Sequence, residues 1–345
     1  LLPHLVKQAE VMAMKYDVVV TNPPYLGARN MNAAIKGYLQ KHYQDTKGDL
    51  FAAMMERCFE LCDAECFVVT VTMQSWMFLS SYESFRKKLL EGNCTTTLLH
   101  MGNNVMRIAF GTVAAVWRTC PVPGYHGTYF YIETEDLIND QPKEFPVMHR
   151  RFAQRADDDF KHIPGSPLAY WASEAVMNVF DKGRPLGDIA PPRQGMATSD
   201  NNRFLRLWHE VEPRQIGFNM RSREEARESG RKWFPYNKGG DYRKWYGNND
   251  YVVHWENDGA LIRNLRDNGG RLLSRPQNMD YYFLPGITWT FVSSSRFGVR
   301  SSPYGFLFDV GGSSAFPADK DNLYITAFLC SKLALEFLKM LNPTL

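Results

Sequence analysis

Across the first 120 residues the apolar positions fall into short runs whose period switches between strand and helix. Tyr16-Asp-Val-Val-Val-Thr21 is nearly continuous in apolar residues, the pattern of a buried strand. Residues 49–62 (DLFAAMMERCFELC) repeat their apolar side chains at helical spacing. Residues 66–73 (CFVVTVTM) are rich in β-branched residues and predict a central strand. A short amphipathic helix over residues 82–90, a strand over residues 95–100 and a strand over residues 112–119 follow. The last of these is entered through a turn at Phe110-Gly111. Such alternation predicts an open α/β sheet ending in an antiparallel pair, with any ligand at the carboxyl ends of its strands.

Beyond residue 125 the pattern weakens. Residues 126–184 read as a connector, with an acidic stretch at Glu133–Asp136 and a helix near residues 171–180. A basic cluster at residues 149–155 is followed at once by Asp157–Asp159, which favours a solvated face over a phosphate site. From about Pro185 the chain turns to Gly, Pro, Asn, Arg and aromatics. Residues 200–275 hold 15 Arg plus Lys against 11 Asp plus Glu, with 11 aromatics among them, including Trp208, Trp233, Trp245 and Trp255. Arg interleaved with planar rings suits a groove for nucleic-acid backbone and unstacked bases. The same composition suits an aromatic β core with an Arg-decorated surface, and it does not choose between them. Neither a helix-turn-helix nor a zinc-finger pattern is visible, so a DNA reading calls for a larger, irregular domain.

Composition narrows the class. At 345 residues, 44% hydrophobic and 22% charged, the chain has the makeup of an ordinary globular protein of about two domains. It contains no apolar run long enough for a membrane span, and Leu1-Leu2-Pro3 opens no signal-peptide pattern, so a cytoplasmic protein is expected. The missing initial Met fits a piece of a longer chain. Cys58, Cys62 and Cys66 recur every four residues and read as small buried hydrophobes, while the eight His are scattered, so no metal site is expected.

The chemistry concentrates in Asn22-Pro23-Pro24-Tyr25, directly after the first strand. The exocyclic amine of adenine is a poor nucleophile because its lone pair is delocalised into the ring. The Asn22 side-chain carbonyl and the Pro23 backbone carbonyl can each accept one N–H from such an amine, freeing the lone pair to attack a methyl group. Pro23 and Pro24 hold the loop extended. The ring of Tyr25 can stack on the base and favour the developing positive charge. A rigid Asn-Pro turn that happens to end in an aromatic is the plainer reading of the same four residues.

Asn22–Tyr25, the helix start Asp49-Leu50-Phe51, the strand at residues 66–73 and Phe110-Gly111-Thr112 resemble successive motifs of γ-class adenine-N6 DNA methyltransferases. Residues 193–208 (RQGMATSDNNRFLRLW) resemble the start of the target-recognition domain in one branch, the large single-chain (PglX-type) methyltransferases of BREX phage-defence systems, related to type IIG restriction–modification enzymes. Residues 306–314 (FLFDVGGSS) and a terminal helix ending at residues 341–344 fit that domain too. The resemblance implies the C-terminal half of a class I, Rossmann-like AdoMet-dependent methyltransferase domain over residues 1–125. After the connector, an incomplete mixed α+β target-recognition domain would occupy residues 185–345. It implies S-adenosyl-L-methionine as cofactor, double-stranded DNA as partner alongside other defence-system subunits, and extrusion of the target adenine from the duplex.

By the same resemblance Asn22 and Pro23 accept the amine hydrogens, Pro24 stiffens the loop and Tyr25 stacks on the base. Phe110 packs against the flipped base or simply into the core. Asp49 lines the pocket or caps its helix. Asn201, Arg203 and Arg206 are candidates for DNA contact. One departure is large. The Gly-rich cofactor loop and the acidic residue gripping the ribose precede the catalytic strand in that class, and residues 1–15 are too short for them. Asp309-Val-Gly-Gly-Ser-Ser314 only faintly resembles such a loop, too near the end for a permuted order. The cofactor motif is therefore expected upstream of Leu1, and the chain alone is expected to bind AdoMet weakly or not at all and to be inactive. A nuclease-type cluster is not evident. Two other readings stay open: methylation of a protein glutamine amide or an rRNA base through the same loop, and a DNA-binding module without catalysis.

Overall fold

The computed structural model describes residues 2–148, 151–291 and 297–341. The chain divides into two units between Gly183 and Arg184, with Met340 grouped with the first.

The first unit is built on a six-stranded sheet. Its strands are β1 (Tyr16–Thr21), β2 (Cys62–Met73), β3 (Cys94–Met101), β4 (Thr112–Arg118), β5 (Gly127–Ile132) and β6 (Ala153–Arg155), in the spatial order β1-β2-β4-β3-β5-β6. β1 and β2 run parallel, and β4 is antiparallel to both of its neighbours, β2 and β3. The antiparallel element expected at the sheet's end therefore lies inside it. Two strands from the stretch read as a connector continue the sheet, β5 parallel to β3 and β6 antiparallel to β5. That stretch is an integral part of the first unit. Its strands are short and set among turns, which hid their period.

Alternation along β2 sends Cys66, Val68, Thr70 and Thr72 to one buried face, where α3 (Leu50–Leu61) and α4 (Glu83–Gly92) supply Phe51, Met55, Phe85 and Leu89 to the same core. Cys58, Cys62 and Cys66 belong to that core, and β2 opens at Cys62 rather than at Cys66. Ahead of α3, α2 (Ala33–His42) is N-capped by the Asn32 side chain and closes a small cluster of Met31, Leu39, Tyr43 and Ala53.

Two further expectations are corrected. β1 is an edge strand, not a buried one: Val18 and Val20 are 54% and 70% exposed, next to the exposed Phe67 of β2. The first helix, α1 (Leu2–Ala13), buries no residue. Part of the basic cluster, His149 and Arg150, lies outside the described residues. Arg151 stacks over the rings of Tyr131 and Trp171, and Arg155 donates to the carbonyls of Tyr170 and Ala172, so these two arginines are tied inward and do not form a solvated face. The helix expected near residues 171–180 forms as α5 (Glu174–Lys182), N-capped by Ser173.

The second unit carries two four-stranded sheets. Leu205–Leu207, Tyr251–His254, Trp233–Asn237 and Leu307–Phe308 make one, around a core of Phe204, Phe234, Trp255, Tyr282 and Phe308. Val299–Ser302, Gly286–Trp289, Ser314–Ala315 and Pro192–Arg193 make the other. Residues 306–314 pin both together. Asp309 is buried and accepts from the Tyr236 hydroxyl at 2.8 Å, from Lys238 Nζ at 2.7 Å and from the Gly311 amide at 2.6 Å. Gly312 lies so close to the Asn237 carbonyl that a Cβ would sit 2.1 Å from its oxygen. The last helix runs Lys332–Leu341, and residues 342–344 of the expected terminal segment are outside the described residues.

Candidate functional site

Because β1 and β2 are parallel and β4 is antiparallel to β2, three connections meet at one end of the sheet. Residues 22–25 leave β1, Gln74 leaves β2, and Phe110-Gly111 leads into β4. The Asn-Pro-Pro-Tyr loop thus stands at the carboxyl end of its strand, where open α/β sheets present ligands. Pro23 is buried, Tyr25 is half-buried, and Asn22 and Pro24 are exposed.

Tyr25 is held between two rings. Its centroid lies 6.0 Å from that of Phe51 at 86° and 5.8 Å from that of Phe110 at 66°, both edge-on. Phe110 is half-buried and meets the Tyr25 ring, which itself packs against the core. Burial pushes the Tyr25 phenol above its ordinary pKa, which keeps the ring neutral. The Tyr25 hydroxyl reaches Asn22 Oδ1 only at 3.5 Å, the outer limit of a hydrogen bond. The Asn22 carbonyl is therefore exposed and almost free to accept from another donor.

Asp49 sits behind this loop and shapes it. Its Oδ1 accepts from the Leu26 amide at 2.9 Å and from the Phe51 amide at 3.3 Å, so one carboxylate caps α3 and fastens the chain just after Tyr25. Backbone bonds from Leu50 to the Leu26 carbonyl (3.0 Å) and from Ala28 to the Gly48 carbonyl (3.0 Å) complete the clasp. Of its two expected roles, the structure shows the cap. Gln74 was not singled out from the sequence, and Phe51 entered only as part of the helix start Asp49-Leu50-Phe51. For Gln74 a signal existed: it follows the last residue of a strand whose neighbour ends in the candidate loop.

Asn201, Arg203 and Arg206 lie in the second unit. Asn201 and Arg203 are exposed in a short helical turn, Asn201–Phe204, capped by Asp200. Asn201 already accepts from the Thr198 hydroxyl at 2.7 Å. Arg203 lies over the Phe204 ring and has no ion-pair partner among the described residues. Arg206 is half-buried, donates to the carbonyls of Asn202 and Leu205, and covers Trp233. Asn201, Asn202, Arg206, Lys238 and Tyr251 line an open hollow of about 420 Å³. The aromatics of this unit split in two. Trp255 and Tyr236 are buried, whereas Trp245 and Tyr246 are 55% and 69% exposed. Trp245 is nevertheless fixed by its backbone, donating to the Val299 carbonyl at 2.8 Å and accepting from the Ser301 amide at 3.0 Å.

Residues 4–106 match the family model of the Eco57I restriction-modification methylase. Over 358 aligned residues the chain is 39% identical to the adenine-specific methyltransferase BrxX of Escherichia coli O9:H4 (strain HS), covering 100% of this chain and 28% of that protein. It is 35% identical over 357 residues to the adenine-specific methyltransferase PglX of Lacticaseibacillus casei (strain Zhang), covering 100% of this chain and 29% of the relative. Its relatives are adenine-specific methyltransferases. The likeness inferred from Asn22–Tyr25 and residues 193–208 is thus a likeness to BrxX and PglX along the whole chain, which spans less than a third of their length. Among solved structures, the type IIL restriction-modification enzyme MmeI in complex with DNA superposes with a TM-score of 0.52 at 13% identity, over 89% of this chain and 41% of that one. A nuclease-deletion mutant of the type ISP enzyme LlaGI, in complex with a DNA substrate mimic, gives 0.51 at 11% identity, over 96% and 33%. These two likenesses bear on fold alone.

Proposed function

We propose that the chain supplies the amine-holding side of an AdoMet-dependent DNA methyltransferase that transfers a methyl group to N6 of an extruded adenine, within a phage-defence or restriction–modification system. The observation that carries this reading is the exposed Asn22 carbonyl at the end of β1, beside a Tyr25 ring that is steadied by Phe51 and Phe110. An amine donating to Asn22 Oδ1 displaces only the 3.5 Å contact from Tyr25. Its second hydrogen goes to the Pro23 carbonyl, and the base lies against Tyr25, with Phe110 as a side wall. A neutral amide suffices, because the surplus proton leaves after the methyl group has moved. AdoMet supplies the electrophilic methyl. The described residues around Asn22 offer no Gly-rich turn between a strand and a helix, so no residue of this chain is assigned to the cofactor.

In this reading the second unit reads the target, with Asn201, Arg203 and Arg206 and the exposed Trp245 and Tyr246 meeting DNA. The duplex pays an unstacking penalty of a few kcal/mol when adenine leaves the stack, and contacts over a wide surface offset it. The exposed apolar face of β1, Val18 and Val20, suits a further strand and helix of the parent protein, which would bring the cofactor side.

The test is to offer the intact parent protein radiolabelled AdoMet with duplex DNA, ribosomal RNA and a protein extract. Label in N6-methyladenine of duplex DNA is the expected result; label confined to protein or RNA contradicts it.

A further inference from the structure

Gln74 links the loop cluster at the end of the sheet to a buried polar chain behind it. Its backbone amide donates to the Gly111 carbonyl at 3.0 Å. Its side chain lies flat against Gly111, where a Cβ would sit 2.3 Å from Gln74 Oε1. A side chain at Gly111 would have to displace the Gln74 amide. The same Oε1 lies 2.5 Å from His100 Nε2, and His100 Nδ1 lies 3.2 Å from the Tyr170 hydroxyl.

The protonation pattern follows from burial. His100 is 3% exposed, and desolvation, aided by the Arg151 charge, pushes its pKa down to about 3. The ring is neutral and has a single N–H. An amide oxygen can only accept, so that N–H is on Nε2 and Nδ1 accepts from the Tyr170 hydroxyl. Tyr170 is itself held in the core. Tyr170, His100 and the Gln74 side chain therefore form a directed hydrogen-bonded chain from the core to Gln74, whose side chain packs on Gly111 and whose own backbone amide bonds the Gly111 carbonyl.

The preceding segment is anchored at its middle, by Val105 buried with Met101, Ile132 and Val147 and by the Arg107–Asp140 ion pair. Residues 103–110 form turns, Met106 and Arg107 are exposed, and Phe110 is half-buried. Its Phe110 end leads into Thr112, which pairs with Met73 and Met101 in the sheet, and the Gln74 amide adds a bond to the Gly111 carbonyl just before it. We propose that Gln74 and His100 are positioning residues, which fix the Phe110–Gly111 turn and thereby the aromatic wall against which the extruded base rests. The proposal builds on the reading of Asn22–Tyr25 as the amine-holding loop.

The test uses the intact parent with duplex DNA carrying 2-aminopurine at the target position. Gln74→Met keeps the volume but removes the acceptor for His100. It is expected to raise KM for DNA by about tenfold, the scale of one lost hydrogen bond to a buried donor, and to reduce the fluorescence gain that reports base extrusion. KM for AdoMet stays at the wild-type value. Gln74→Glu retains an oxygen acceptor and is expected to keep most of the DNA affinity. Gly111→Ala, which forces the Gln74 side chain aside, is expected to reproduce the Gln74→Met loss, and to add little once Gln74→Ala has emptied the space. Asn22→Ala in the same assay separates the two claims. If Asn22→Ala is inactive while both Gln74→Met and Gly111→Ala keep wild-type KM and fluorescence, the positioning role is overturned and the site reading stands. If Asn22→Ala remains fully active, the site reading falls, and this proposal with it.

Discussion

Asn22 is exposed, and its side chain has one weak partner, the Tyr25 hydroxyl at 3.5 Å. A residue with so little structural employment can be replaced without unfolding its surroundings. Asp49 is the opposite case. Its carboxylate takes the Leu26 and Phe51 amides together, so Asp49→Ala removes a helix cap and loosens the loop after Tyr25. We expect it to cost about 1–2 kcal/mol in chemical denaturation and to lower methylation as well. Asn22–Tyr25 was legible because the motif is local and its chemistry needs no distant partner. The cap at Asp49 was not, since in sequence Asp suits a cap or a pocket alike, and only the position of the Phe51 amide shows the cap. His100 lends itself to a pH test. Its pKa falls from 6.5 to about 3 on folding, so between those values the unfolded chain binds a proton that the folded chain refuses. Its contribution is complete above about pH 6.5 and declines as the pH falls, by up to about 1.4 kcal/mol per unit. Urea midpoints measured at pH 7, 6 and 5 should fall more steeply for the wild type than for His100→Asn.

Among the elements, α4 is locked by one side chain. Arg86 is buried and donates to the carbonyls of Trp76 (2.8 Å), Leu79 (2.6 Å) and Gly165 (2.7 Å). Burial lowers its pKa to about 10, which leaves it charged at neutral pH. Arg86→Ala strands those carbonyls, and we expect a loss of about 2–4 kcal/mol in urea unfolding. The main strands of the first unit were readable because β2, β3 and β4 have clear periods and strong β-formers. The sheet's extent was not. β5 is a short segment whose place depends on pairing with β3, and β6 has only three residues, Ala153–Arg155. Nor does Val18-Val19-Val20 reveal whether its outer face is covered: the same run serves a central strand or an edge strand, and partners beyond the local sequence decide which.

On the scale of the whole molecule, composition could not separate core rings from surface rings in the second unit. Trp255 and Trp245 are the same residue type ten positions apart. The first is buried beside Tyr282, and the second is exposed on a backbone tied to Val299 and Ser301. They should behave oppositely. Trp255→Ala is expected to destabilise by about 3–5 kcal/mol, whereas Trp245→Ala leaves the melting temperature nearly unchanged. In the intact parent, Trp245→Ala should weaken DNA binding by about tenfold, the scale of one lost base–aromatic stack, as read by fluorescence anisotropy. The first unit presents the exposed Asn22 beside the Tyr25 ring and the second a surface of arginines and rings, and the relatives are more than three times the chain's length. The central claim is that Asn22 accepts a hydrogen from the target amine. Single-turnover methylation of duplex DNA by the intact parent, wild type against Asn22→Ala, tests it most directly. The account predicts a fall of at least about a hundredfold with DNA and AdoMet affinities preserved; methylation at the wild-type rate would contradict it.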